Sequence, residues 1–196
     1  MKKEQNAEKT KVRKLARTKE KVSQWTTNPL NEKVLDYHNY EMTKSESVLY
    51  FVAAFLVGGV VSQFFYGGLF QEDGVPTLLT YISNSAAFVI VGLLVGKVFL
   101  PVRSRQLAEK RRDTLRRQFR DMLESLTASL AANSTVRDAF SSAYTDMCMQ
   151  YSDDALISKE LDQFRRAEQI NVTLDVMMDD FAKRSGVEEI QDFNNV

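Results

Sequence analysis

The sequence predicts an all-α membrane protein. A basic cytoplasmic segment (1–46) leads into a two-helix transmembrane hairpin (47–102), followed by a cytoplasmic antiparallel helical-bundle domain (103–196). Three observations carry this. Two long runs lack any charge, Lys and Arg crowd both outer flanks of that pair, and apolar residues beyond 103 recur in steps of three and four.

Residues 47–71, SVLYFVAAFLVGGVVSQFFYGGLFQ, contain no charged side chain, and neither do residues 74–96, GVPTLLTYISNSAAFVIVGLLVG. Each run exceeds the roughly 20 residues that cross about 30 Å of hydrocarbon at about 1.5 Å per residue. The spans are placed at about 47–71 and 75–100 on that basis. Between them stand only Glu72 and Asp73, with Gly74 and Pro76 as helix breakers. The first run starts too late and is too long for a signal peptide, and it shows no cleavage pattern.

The second span is polar in its first half, through Thr77, Thr80, Ser83, Asn84 and Ser85. Asn84 is costly against lipid, so it is expected to face another helix. Gly58 with Ser62, and Gly92 with Gly96, form small-xxx-small pairs that permit close helix approach.

Charge sets the orientation. The 26 Lys and Arg balance 26 Asp and Glu, but they are segregated. Residues 1–46 hold 11 basic against 7 acidic side chains, residues 97–120 hold 9 against 2, and residues 121–196 hold 6 against 15. The connecting turn has no Lys or Arg, so both flanks are expected in the cytoplasm and the turn outside. The Lys-rich start suits either a basic arm on anionic lipid or a solvated, loosely helical tail. Trp25, Tyr37 and Tyr40 are expected at the membrane interface. Nucleic acid is disfavoured, because no aromatic side chains interleave the charge.

After Pro101 a basic helix places Leu115, Phe119, Met122, Leu123, Leu126 and Leu130 on one stripe. A second helix starts near Thr135, with Val136, Ala139, Phe140, Ala143 and Met147 on one face. A third, at about 155–170, uses Ile157, Leu161, Phe164 and Ala167. A fourth uses Leu174, Met177, Met178 and Phe181, closed by Lys183, Arg184 and a left-handed cap at Gly186. A fifth starts at Val187 with Ile190 and Phe193. Met122, Met147, Met149, Met177 and Met178 are expected to be mostly core fillers.

Asn133-Ser134-Thr135 and Asn171-Val172-Thr173 match the acceptor triplet for N-glycosylation. On the cytoplasmic side they read instead as structural signals. Asn133 and Asn171 turn the chain, while Ser134 or Thr135, and Thr173, cap the following helices.

No phosphate-binding Gly loop, paired Cys, HExxH or nucleophile elbow is present. His38 is the one histidine and Cys148 the one cysteine. Cys148 reads as a small helix residue near the core. Asp153-Asp154 and Asp179-Asp180 read as solvated helix surface, since an ion site needs oxygens converging from several places. An enzyme is not expected. No catalytic residue, cofactor or metal is assigned, and an acidic helical face hung from a membrane hairpin reads as a docking module.

The segment QFRDMLESLTASLAANSTVRDAFSSA resembles the first helical hairpin of the type II secretion system F-domain family, at Gln118, Phe119, Asp121, Leu123, Leu126, Leu130 and Ala131 or Ala132. KELDQFRRAEQINVTLDVMMDDFAKRSGVEEIQDF resembles its next segment, at Glu160, Leu161, Phe181, Arg184, Gly186, Glu188 or Glu189, and Phe193. With the preceding hairpin, residues 37–196 are most similar to TadB-type platform proteins of tight-adherence (Flp) pilus systems, in a form resembling Gram-positive members. Asn133 and Asn171 stand where that family usually has Gly in its first two turns. The family's domain continues into further transmembrane helices, so truncation at the C-terminus is expected.

The resemblance implies a non-enzymatic, multi-pass platform in the inner (cytoplasmic) membrane, coupling a cytosolic assembly ATPase to pilin handling. Its implied partners are that ATPase, a second F-domain platform protein, pilin subunits and membrane lipid, in an oligomer. The rival reading is a membrane-anchored signalling or scaffold protein with a helical docking domain. The short turn leaves no room for an outer sensory domain, and no phosphoacceptor His follows the membrane. A solute transporter is disfavoured by the absence of charged residues from the runs 47–71 and 74–96.

Overall fold

The computed structural model describes residues 23–66, 71–72, 75–76 and 78–195. The basic run 9–21 and the predicted turn residues Asp73 and Gly74 lie outside the described residues. In chain order the elements are β1 (Trp25–Thr27), β2 (Lys33–Leu35), α1 (Lys44–Tyr66), β3 (Gln71–Glu72), β4 (Val75–Pro76), α2 (Leu78–Ala131), α3 (Val136–Tyr151), α4 (Leu156–Gln169), α5 (Leu174–Ser185) and α6 (Glu188–Asn194). They form two compact units, Glu41–Leu107 and Met1–Tyr40 with Ala108–Val196. Helix α2 contributes to both.

In the unit Glu41–Leu107, α1 starts where Thr43 N–H donates to the Glu46 carboxylate at 2.9 Å, one half of a capping box. Helices α1 and α2 are long and apolar enough to cross a membrane. Only 22% and 11% of their apolar windows are buried, which is unlike a soluble core helix. Phe64, Leu78, Val89 and Leu94 are among the large apolar side chains left exposed. On α1 the buried residues are Ala54, Gly58, Gly59 and Ser62.

In the other unit, the later turns of α2 bury Ala108, Leu115, Phe119, Met122 and Leu126. Steps of seven, four, three and four keep these on one helical face. Facing helices supply Ala139, Ala143 and Met147, then Ile157, Leu161, Phe164 and Ala167, then Met177, Met178 and Phe181, then Ile190. Edge-to-face and tilted aromatic contacts run through the centre: Phe140 to Phe164, Phe164 to Phe181, and Phe181 to Phe119, with ring centroids 5.9, 6.0 and 6.3 Å apart. Such pairs add about 0.5–1.5 kcal/mol each beyond their buried area.

The structure is mostly helical, and two short antiparallel strand pairs, not expected from the sequence, accompany the helices. In the first, Trp25 pairs with Leu35 and Thr27 with Lys33. Asn28-Pro29-Leu30-Asn31 closes it: Asn31 N–H donates to the Asn28 carbonyl at 2.9 Å, and Asn31 has φ 59°. Proline suits the first central position of a type I turn, and Asn tolerates the left-handed bulge after it. The Asn28 side chain accepts from Leu30 N–H and Glu32 N–H, then donates to Gln163 on α4 at 3.1 Å. Residues 23–40 are therefore built into the helical unit and are not a tail. Tyr37, expected at the membrane interface, is 1% exposed within the core.

The helix limits differ from the uncharged runs. Helix α1 ends at Tyr66, not at 71, and the sequence places Gly67 and Gly68 next, where helix is least favoured. Gln71 pairs with Pro76 and Glu72 with Val75, so the second helix starts at Leu78 rather than 75. It then continues through Pro101 to Ala131. Met149 is 81% exposed, so it is not a core filler.

A buried polar cluster ties the strand pair to α4 and α5. Arg184 donates to both oxygens of Glu160, at 3.1 and 2.8 Å, to Asp180 at 2.7 Å and to the Leu35 carbonyl at 2.9 Å. Tyr37 hydroxyl donates to Glu160 at 2.9 Å, and Tyr37 N–H to the Arg184 carbonyl at 3.0 Å. Burial, then the adjacent Glu160 carboxylate, raises the Tyr37 pKa well above its ordinary value near 10. Burial opposes the Arg184 charge, but Glu160 and Asp180 outweigh it and raise its pKa.

Removing one partner of a buried pair strands the other, so Glu160→Leu is expected to cost about 3–5 kcal/mol. Denaturant unfolding of the full chain in detergent, followed by helical circular dichroism, reads this. The raised Tyr37 pKa makes its contribution complete below pH ~10 and lost as pH climbs through the folded value. Stability should thus decline above pH ~10, and Tyr37→Phe should flatten that decline while costing about 1.5–3 kcal/mol at neutral pH.

Candidate functional site

The hairpin packs through glycine facing aromatic rings. A β-carbon on Gly96 would lie 2.7 Å from the Phe51 ring, on Gly92 2.7 Å from the Phe55 ring, and on Gly59 2.4 Å from the Phe88 ring. Each four-residue advance along α1 meets a four-residue retreat along α2, which is the register of an antiparallel pair. Gly58 does the same against Val95, at 2.9 Å. Phe55 and Phe88 complete the contact edge to face, 5.7 Å apart. Farther along the same register, Gln63 Nε2 donates to the Asn84 carbonyl at 2.9 Å. Asn84 is half-buried, and Ser62 is buried with an unpartnered hydroxyl. Gly58, Ser62, Gly92 and Gly96 thus come together in one interface. Gly59 and the three phenylalanines escaped the sequence reading, although Phe51–Phe55 and Gly92–Gly96 share a four-residue step that signals them.

The helical unit turns its corners on asparagine. After α2, Asn133 N–H donates to the Leu130 carbonyl and Ser134 N–H to the Ser129 carbonyl, with Asn133 at φ 63°. After α4, Asn171 N–H donates to Glu168 and Val172 N–H to Ala167, with Asn171 at φ 59°. Both are Schellman motifs, which need a left-handed residue at this position. Thr135 caps α3 by accepting from Asp138 N–H at 3.2 Å. Thr173 occupies the equivalent position before α5 but makes no side-chain cap bond. Gly186 ends α5 at φ 58°, with His38 and Arg112 close enough to obstruct a β-carbon.

Residues near both asparagine corners line a cleft of about 460 Å³. Phe140, Leu161, Phe164, Val172 and Leu174 form its apolar walls, and the exposed Arg137 bonds to Glu168 at its rim. Its volume suits an apolar side-chain cluster or small ligand, and Arg165, Glu168 and Asn171 add polar groups to its lining.

The acidic pairs go elsewhere. Asp154 pairs with Lys159, Asp179 with Lys183 and Asp180 with Arg184. His38 Nδ1 lies 2.9 Å from Asp36. Among the described residues no three His, Cys, Asp or Glu side chains gather as a metal site. The Glu160–Arg184 pair was also missed, although Glu160 falls on the apolar stripe of Ile157, Leu161 and Phe164, the signal of a buried charge.

The chain matches no protein-family profile, no curated protein and no solved structure.

Gly92→Leu should force the hairpin apart, whereas Val60→Leu on the exposed face should not. Protease resistance of the hairpin in vesicles separates the two. Asn133→Gly and Asn171→Gly should be close to neutral, while either residue changed to Val should cost about 1–2 kcal/mol, read by thermal unfolding.

Proposed function

We propose that this chain is a membrane platform component of a tight-adherence type IV pilus or type II secretion-like machine. In this role it couples a cytosolic assembly ATPase to pilin handling. The supporting observation is α2 itself. Its N-terminal half carries Gly92 and Gly96 of the hairpin contact, and its later turns carry Leu115, Phe119, Met122 and Leu126 into the bundle core. One helix, with its hydrogen-bond ladder interrupted at Pro101, therefore gives any partner of the helical unit a covalent route to the second span. The resemblance of residues 118–132 and 160–193 to the F-domain family supplies the kind of machine. Lys and Arg on both outer flanks support a cytoplasmic helical unit.

The first test is topology. A cysteine introduced as Asp154→Cys, in a Cys148→Ser background, should react with a membrane-impermeant reagent only after the membrane is opened. One introduced as Asp73→Cys should react from outside without opening. The second test is partnership. The full chain should co-purify with the secretion ATPase of its own organism. A correctly inserted chain that captures none, or captures a response regulator instead, overturns the platform reading in favour of a signalling one.

A further inference from the structure

One end of the hairpin unit gathers positive charge with little to neutralise it. Residues 41–46 and 97–107 contain Lys44, Lys97, Arg103 and Arg105 against Glu41 and Glu46. Glu46 is engaged by Thr43 N–H. Lys44, Lys97 and Arg105 are exposed. None of the four cations is paired with a carboxylate among the described residues. The antiparallel register that sets Phe51 against Gly96 brings Lys44 level with Arg103.

Arg103 is positioned. Its guanidinium lies 5.1 Å from the centre of the Tyr50 ring, Nη2 reaches the Tyr50 hydroxyl at 3.4 Å, and Nη1 donates to Gln106 at 3.2 Å. Lys97 and Arg103 differ by about 9 Å along the helix axis, the depth of a headgroup layer rather than of one contact. The residues between them include exposed Val98, Phe99 and Val102. Apolar side chains interleaved with unpaired cations suit a site where stems lie in acyl chain and charges reach phosphate. A site for free phosphate would have no use for the exposed apolar neighbours.

The geometry points to this collar as a recognition site for the phosphate of anionic phospholipid headgroups. The inference rests on the membrane reading above and deepens it. The start of α1 holds Lys44, and the middle of α2 holds Lys97, Arg103 and Arg105, at headgroup depth, and each draws anionic lipid by an amount that salt screens.

The full chain is reconstituted into vesicles of phosphatidylcholine with an increasing fraction of phosphatidylglycerol. The lipid retained through mild detergent extraction is then analysed by mass spectrometry. Phosphatidylglycerol should be enriched over phosphatidylcholine, and Lys97→Gln with Arg105→Gln should lower the enrichment about fivefold for each cation removed. Both residues are exposed, so the fold should survive. An integral, folded chain without enrichment, or with enrichment unchanged in the double variant, overturns the inference and leaves the membrane reading standing. Enrichment abolished by millimolar inorganic phosphate at constant ionic strength overturns the lipid as its source. A chain released from the vesicles by alkaline wash defeats the membrane reading itself.

Discussion

Arg184 joins three pieces of the helical unit at one buried point. Its guanidinium reaches α4 through Glu160, its own helix through Asp180, and the N-terminal strand pair through the Leu35 carbonyl. Taking a guanidinium and a carboxylate out of water costs several kcal/mol per ion, and a single contact does not recover it. Here the recovery is geometric. The fork of Arg184 meets both carboxylate oxygens, and Tyr37 supplies a further donor to Glu160. The cluster is complete only when residues 35–37 lie across α4 and α5. A strand pair of three residues per strand is too small to hold itself in place. The buried charge specifies where it goes, because every other placement leaves Arg184 or Glu160 short of partners.

The two units are held by different physics. In the bundle, burial of Leu115, Phe119, Phe164 and Phe181 removes apolar surface from water, and the aromatic contacts refine the packing. The hairpin has apolar side chains on its outer faces as well, so burial alone selects no particular contact between α1 and α2. Close approach does so instead. Gly59, Gly92 and Gly96 remove side chains where Phe88, Phe55 and Phe51 enter, and dispersion contacts replace the hydrophobic effect as the specifying term. Glycine is poor in an isolated helix, and its place here reflects the partner ring rather than local propensity.

This difference explains what could be read from the sequence. Leu115, Phe119, Met122 and Leu126 announce a helix because water rewards one apolar face, and periodicity records that reward. The long uncharged runs announce themselves for the same reason. The strand pair at 25–35 was hidden, because strands of three residues give too short an alternation and the surrounding Lys residues resemble a solvated tail. Its turn, Asn28-Pro29-Leu30-Asn31, was legible by turn chemistry. Glu160 and Arg184 are separated by 24 positions, and nothing local pairs them. Only the position of Glu160 on an otherwise apolar stripe hints that its charge is buried. Absence of charge marks apolar composition and not helix limits, so the run 47–71 is longer than α1 (Lys44–Tyr66) at its C-terminal end.

The two Asn-x-Thr triplets show how one pattern carries two meanings. As acceptors they need only sequence and access. As corners they need a left-handed residue followed by a residue that starts a helix, and Asn133 and Asn171 both occupy left-handed backbone. The Thr135 hydroxyl accepts from Asp138 N–H and donates to the Asp138 carboxylate, so it is committed to the helix it begins. Thr173 has no such bond, and its corner is held instead by Val172, packed against the core one residue after the turn. The equivalent stop before α3 uses backbone bonds and a hydroxyl cap; the stop before α5 uses backbone bonds and an apolar contact. Two corners with the same sequence pattern are thus closed by different forces; the second lines the cleft directly, and the first starts the helix whose Val136 and Arg137 line it.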